Sequence, residues 1–388
     1  MAGIIEEQHP DRARLFMQWK QMPWPVLVDS LDLLGVSAVP TTLAIDEYGV
    51  IRMVDPEPGE IEDKFINRTF ERPANLREFA DRVPDLDVLK QATRRDAVAA
   101  WSAYANALVE WGGPQRTSDA IQAYQHALRL EPDSGSLHFQ LGVAYRERYD
   151  SNVRQPEDFQ NAVEQWSAAL EINPNQYIWR RRIQQYGPRL DKPYSFYDWV
   201  ITARKEIAAR GEIPAPLSVE PTGAEFAHSD KSFAAASGSV KEPDPRGRIL
   251  RDAGQFIKVE TAVVPNTRAQ QASERVHVVF RPNPANKTHW NNEAGDFAFW
   301  VEAPAGWDVS QHLITVPNPS REPSTEPREV EFEVKRPERS LAQAAVLPAY
   351  ALYYVCEDVH GVCMYRRQEV PITIVPRKMR RDAGSKSR

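Results

Sequence analysis

Two stretches of the chain carry the same spaced set of side chains: Ala120, Tyr124, Ala127 and Pro132, then Ala162, Trp166, Ala169 and Pro174. Both sets run at intervals of 4, 3 and 5, and the second starts 42 residues after the first. Steps of three and four put the first three residues on one side of a helix. Small residues there let a second helix come close, the aromatic ring fills the space beside it, and proline stops the helix. A further helical pattern precedes each set: Trp101, Tyr104, Ala105 and Leu108 in one case, Leu141, Gly142 and Tyr145 in the other. Such a duplication commits the middle of the chain to stacked helical pairs.

The pattern resembles the tetratricopeptide repeat, whose unit is a helix–turn–helix of usually 34 residues. The loop Ser151–Asp158 absorbs the longer spacing here. Two repeats are fewer than a free-standing stack needs, so a third helical pair is expected to cap them, from Asn175–Gln185 and Phe196–Arg210. The resemblance implies a concave groove that recruits a protein partner. Arg180, Arg181 and Arg182 read as a solvated face or as a contact for phosphate or acidic peptide. The aromatic run Lys192–Trp199 packs the capping helix or floors a binding groove.

Around this module the composition changes. The 388 residues suit two or three domains. The 31 prolines, about 8% against a usual roughly 5%, predict many turns and linkers. Residues 211–247 hold Pro214, Pro216, Pro221, Pro243, Pro245 and an Ala/Ser/Gly run, which is linker composition. Beyond them Phe256–Val264, Arg275–Phe280, Asp296–Glu302, Arg328–Val334, Ala349–Val355 and Glu369–Val375 read as strands of a β-sandwich. At the N-terminus, Ala2–Ile5, Val26–Val28, Thr41–Ile45 and Val50–Val54 read as short strands. A helix capped by Asp11 runs to Gln21 with Ala13, Leu15, Phe16 and Trp19 buried, and another lies near Asn75–Val83. The expected class is multidomain α+β: a partial α/β unit over 1–75, the helical module over 76–210, the linker, a sandwich over 248–376, and a basic disordered tail over 377–388.

The segment Gly35-Val36-Ser37-Ala38-Val39-Pro40-Thr41-Thr42, with Pro23-Trp24-Pro25-Val26 and Asp29 before it, resembles the cis-proline region of thioredoxin-like proteins of the redoxin (AhpC/TSA) branch. The resemblance covers roughly residues 2–54. It implies a cis Val39–Pro40 bond, an uncommon geometry in folded proteins, and a docking surface at Val39 and Pro40. It also implies a central strand and a Cys-x-x-Cys helix ahead of Ala2–Ile5, whereas no cysteine precedes Cys356. Ala2–Ile5 and Thr41–Ile45 must then pair directly or take another segment between them. On this reading Met1 is an internal methionine of a longer gene, and the N-terminal unit is inactive as written.

The two cysteines, Cys356 and Cys363, lie at the end of one apolar run and the start of the next, with Gly361 between them. A hairpin of this kind can bring two Cβ atoms within disulfide reach. They could form a structural staple, a metal site with His360, a redox dithiol, or two free buried thiols. Glu357 and Asp358 raise a neighbouring thiol's pKa and suit a pair that is attacked rather than one that attacks. The segment Tyr353–Cys363, with Val276–Phe280 and His289-Trp290-Asn291-Asn292-Glu293, resembles the N-terminal domain of DsbD, an immunoglobulin-like sandwich. The likeness spans about 120 residues, with six residues between the cysteines where that family typically has five. It implies that Cys356 and Cys363 relay electrons to a thioredoxin-like partner, with His289 and Trp290 as candidate binding residues.

Other chemistries lack their signatures. No Walker loop, His-Glu-x-x-His or Gly-x-Ser-x-Gly occurs, and no cofactor is expected. The net charge of −6 argues against a nucleic-acid partner, and no apolar run reaches membrane-spanning length. The acidic N-terminus does not read as a secretion signal, which places the chain in the cytoplasm, or in the periplasm if the true start lies upstream. The expected function is thiol–disulfide exchange through Cys356 and Cys363 with the repeats holding a partner; the alternative is a repeat scaffold without chemistry.

Overall fold

A computed structural model of the chain describes residues 2–37, 39–57, 59–74, 83–189, 196–226, 240–267, 273–337, 340–341, 343–358 and 360–376. The helix expected near Asn75–Val83 and the tail over 377–388 lie almost wholly outside these residues. The first elements are β1 (Gly3–Ile5), α1 (Pro10–Lys20), β2 (Val26–Val28), β3 (Leu43–Ile45), β4 (Ile51–Val54) and α2 (Leu86–Ala92). The helices continue with α3 (Val98–Trp111), α4 (Thr117–Leu130), α5 (Gly135–Tyr149), α6 (Asp158–Ile172), α7 (Tyr177–Tyr186), α8 (Trp199–Ala209) and the single turn α9 (Gly223–Phe226). The architecture is mixed α+β with several antiparallel sheets. It divides into two compact units, one of Met1–Gln8, Trp24–Val153 and Gln165–Arg181, the other of His9–Pro23, Arg154–Glu164 and Arg182–Arg388.

In the first unit the helices carry the core. Ala120, Tyr124 and Ala127 are fully buried, as are Trp166 and Ala169, so the duplicated residues face helical neighbours. The Tyr124 hydroxyl donates to Asn106 Oδ1 (2.6 Å) while Arg116, at the start of α4, donates to the Tyr104 hydroxyl, which ties α3 to α4. Gln125 donating to Tyr145 and Arg148 donating to Ser118 do the same for α4 and α5. The chain's own segment 29–37 docks on these helices. Leu31 is 1% exposed, Gln140 donates to its carbonyl, Trp179 Nε1 donates to Asp32 (2.8 Å), and the Tyr177 N–H reaches the Ser37 carbonyl.

One carboxylate in this unit is held at a cost. Burial, with Asp150 close by, pushes Glu147 of α5 from an ordinary 4.5 up to about 7. A carboxyl with a raised folded-state pKa contributes stability below the unfolded value and loses that contribution as pH rises through the folded value. Glu147→Gln is therefore expected to raise unfolding stability by about 2–3 kcal/mol at pH 8 and by little at pH 4. Urea midpoints at both pH values check this; an equal gain at both would contradict it.

Val39–Pro40 is cis and both residues are exposed. The short strands form two separate pairs, β1 with β2 in parallel and β3 with β4 antiparallel. Among the described residues β1 and β3 neither pair directly nor share an intervening strand. The hairpin β3–β4 is tied by Asp46, whose carboxylate accepts from the Tyr48 and Val50 N–H groups and from Arg52.

In the second unit α1 and α8 pack on each other, and α8 buries Val200, Ala203 and Ile207 against Leu15 of α1. Three-residue strands offer α1 too little apolar surface, whereas α8 supplies a full face. The helix also starts before Asp11, at Pro10, whose fixed φ and missing N–H suit the first helical position; Asp11 instead accepts from Ser218. Beneath this pair Arg12 and Glu225 form a doubly hydrogen-bonded ion pair, 1% and 0% exposed, with Gln185 and the Thr222 N–H also on the carboxylate.

The remaining elements are β5 (Ile257–Pro265), β6 (Ser273–Pro282), β7 (Thr288–Trp290), β8 (Phe297–Val301), β9 (Asp308–Val309) and β10 (Leu313–Val316). They are followed by β11 (Arg328–Lys335), β12 (Ala345–Leu347), β13 (Ala349–Glu357), β14 (Val362–Glu369) and β15 (Ile372–Ile374). One sheet has the order β5-β6-β11-β9 and the other β10-β8-β13-β14, with β7 beside the far end of β13. Alternation sends Val276, Val278, Phe280, Val330 and Phe332 from the first sheet, and Phe297, Phe299, Tyr353 and Val355 from the second, into one core. On the back of the first sheet His277, 4% exposed, meets the Glu331 carboxylate at 3.1 Å and the Tyr186 carbonyl at 2.9 Å. Burial alone would raise the Glu331 carboxyl, but His277 and Arg275 hold it far below its ordinary range.

Candidate functional site

The hairpin of β13 and β14 pairs from Tyr350↔Glu369 to Glu357↔Val362, and Cys356 faces Cys363 directly. Gly361 has φ +65°, a backbone conformation that a side chain would strain, and it closes the turn. The Glu357 carboxylate accepts from the His360 N–H at 3.2 and 3.1 Å and pins the same turn. Facing positions on antiparallel strands project to the same side, and the two sulfurs are bonded, with Cα atoms 3.9 Å apart.

Ala351, Tyr353 and Val355 point into the core, so Cys356 and Tyr354 point to the outer face of the sheet. Cys356 is 7% exposed, while Cys363 is open to solvent on the last strand of the sheet. Along that face Tyr354 stacks on its partner Tyr365, ring centroids 4.3 Å apart. Further along, Arg367 lies over the Tyr350 ring (3.6 Å) and binds Asp244, and residues 250–252 bond to the backbone of Arg367. The Cys363 end of β14 has no such cover among the described residues.

On its other side Cys356 is in register with His289 of β7. His289 Nδ1 lies 3.6 Å from Asp358 Oδ1, with the imidazole 20% exposed. The structure thus brings together three of the residues singled out from sequence: Cys356, Cys363 and His289. Trp290 departs from the expectation. Its neighbour faces outward, so alternation turns Trp290 inward, where it is 1% exposed, meets Phe297 and Tyr353 edge-on and donates to the Glu326 carbonyl. It is a core residue and offers no binding surface. Val39 and Pro40 belong to the other unit.

Tyr365 escaped the sequence reading as a site residue, as did the approach of Asp358 to His289. The alternation Cys363, Tyr365, Arg367 marks one face of β14, but its meaning depends on knowing which face is buried. The solvated face expected for Arg180–Arg182 also fails at Arg182, which is 3% exposed.

No family model matches the chain, and no curated relative matches it. Among solved structures part of the chain is similar to the GAE domain of yeast GGA1, at 15% identity over 32% of this chain and 96% of that one, with a TM-score of 0.20. It is also similar to BslA, a bacterial hydrophobin, at 14% identity over 34% of this chain and 99% of that one, with a TM-score of 0.16. No helix among the described residues is long and apolar enough to cross a membrane.

Proposed function

We propose that this protein exchanges disulfides with protein thiols through Cys356 and Cys363, on an immunoglobulin-like sandwich joined to tetratricopeptide-type helices and a partial thioredoxin-like unit. One observation carries the reading: a buried sulfur bonded to an exposed one, on the outer face of the sheet and at an uncovered strand end. As a staple the bond has little to do. A loop this short contributes about 2–3 kcal/mol by chain entropy, and β13 is already held by β14, β8 and β7. A partner thiolate attacks the accessible Cys363, and Cys356 is the leaving sulfur.

Partner capture through the repeat helices is the weaker part of the reading, because segment 29–37 of the chain itself sits on α5 and the start of α7. The absence of any cysteine before Cys356 favours a second reading, in which the N-terminal unit serves only as an assembly surface.

Incubation with a reduced dithiol protein of the thioredoxin type, followed by alkylation and intact-mass measurement, tests the exchange. Two added alkyl groups per chain are expected within minutes at neutral pH, without loss of folded structure. A bond that survives excess dithiol in the folded protein would leave only the scaffold reading.

A further inference from the structure

We propose that His289 is the proton donor to the Cys356 sulfur as it leaves the disulfide; this rests on the exchange reading above. The strand order places His289 and Cys363 on opposite sides of the same residue, each in direct register with Cys356. The three side chains therefore project from one face in a single row, with the Cβ atoms of His289 and Cys356 roughly 4.5–5.5 Å apart and Cys356 bonded to Cys363. A thiolate arriving at the exposed end of the row meets Cys363, and the sulfur it displaces is the one beside the imidazole. The imidazole lies with Nδ1 3.6 Å from Asp358 Oδ1, and its partial exposure lets solvent restore the proton after each turnover.

The step balances as follows. The electron pair of the partner thiolate forms a bond to Cys363 Sγ, the Cys363–Cys356 bond breaks, and its pair passes to Cys356 Sγ. That sulfur takes a proton from the His289 imidazolium and becomes a thiol. The partner's second thiolate then attacks the mixed disulfide, which releases Cys363 as a thiolate and leaves the partner oxidised and this pair reduced. The charged groups that the contacts place beside the imidazole are Asp358, 3.6 Å from Nδ1, and Lys287, whose carbonyl accepts from the Asp358 N–H; Glu357 is engaged by the His360 N–H.

The test measures reduction of the folded wild type and of His289→Asn and His289→Gln by dithiothreitol, from pH 5.5 to 8.5, with rates divided by the thiolate concentration. In the wild type the corrected rate is expected to rise as pH falls and the ring gains its proton. At pH 6 it should exceed that of either variant by roughly tenfold. That is below the usual 10²–10⁴ for acid catalysis, because a thiolate departs more readily than an alkoxide. Both variants should show a flat corrected profile. Equal corrected rates in all three proteins would overturn the assignment. So would slower variants that keep the wild-type pH profile, since a merely structural histidine lowers the rate without changing its shape. A wild type that no thiol reduces would sink the exchange reading itself, an outcome distinct from a reducible wild type unaffected by the substitutions.

Discussion

Cys356→Ser leaves Cys363 alone at the open end of the edge strand, and this variant is expected to react with a small disulfide probe at least tenfold faster than Cys363→Ser. The reason is access. Cys363 lies on the last strand of its sheet with solvent on one side, whereas Cys356 is 7% exposed between two strands. Thiol–disulfide exchange needs the incoming sulfur in line with the bond it breaks, and a sulfur enclosed on both sides admits that approach poorly. The same asymmetry predicts that Cys356→Ser, and not Cys363→Ser, accumulates a mixed disulfide with a thioredoxin-type partner. Stopped-flow rates at pH 7.5 for each variant decide it. Equal rates, or the reverse order, would mean that attack falls on the inner sulfur.

The second large effect concerns stability. Removing Glu225 by substitution with Ala is expected to destabilise its unit by about 3–5 kcal/mol, the usual penalty for breaking a buried ion pair by removing one partner. Arg12 is 1% exposed and lies over the Tyr197 ring at 4.1 Å, so no water replaces the lost carboxylate. Arg12→Met should do nearly as much harm, since among the described residues Glu225 then keeps Gln185 and the Thr222 N–H in place of a cation. The double substitution Arg12→Met with Glu225→Leu should recover most of the loss, because no unpaired charge is left buried. Urea unfolding of each variant, followed by circular dichroism, measures these losses. Additive losses in the double variant would show that the residues do not act as a pair.

Legibility in the sequence followed local residue pattern and sequence distance, and even the three-residue β1, β2 and β3 showed as short apolar runs. Strands β5, β6, β11 and β13 run eight to ten residues with β-branched alternation, and each was readable. Strands β7, β9 and β12 have two or three residues, too few to display a period. The helical pairs showed themselves through repeated small and aromatic positions, which are local. The packing of α1 on α8 joins residues as far apart as Leu15 and Val200, and nothing near either announces the other. The site divides in the same way. Two cysteines flanking a glycine turn mark a hairpin, but the row from His289 to Cys363 exists only through register between distant strands. Misreading Trp290 has the same origin: without knowing that Thr288–Trp290 is a strand, adjacent residues cannot be sent to opposite faces.

The strand that carries Cys356 is clamped along both edges, by β14 on one side and by β8 and β7 on the other. Breaking the sulfur bond therefore frees a rotamer or two and leaves the ladder intact. Under the proposed exchange the oxidised and reduced forms are expected to share one backbone, with no part of the sandwich needing to rearrange.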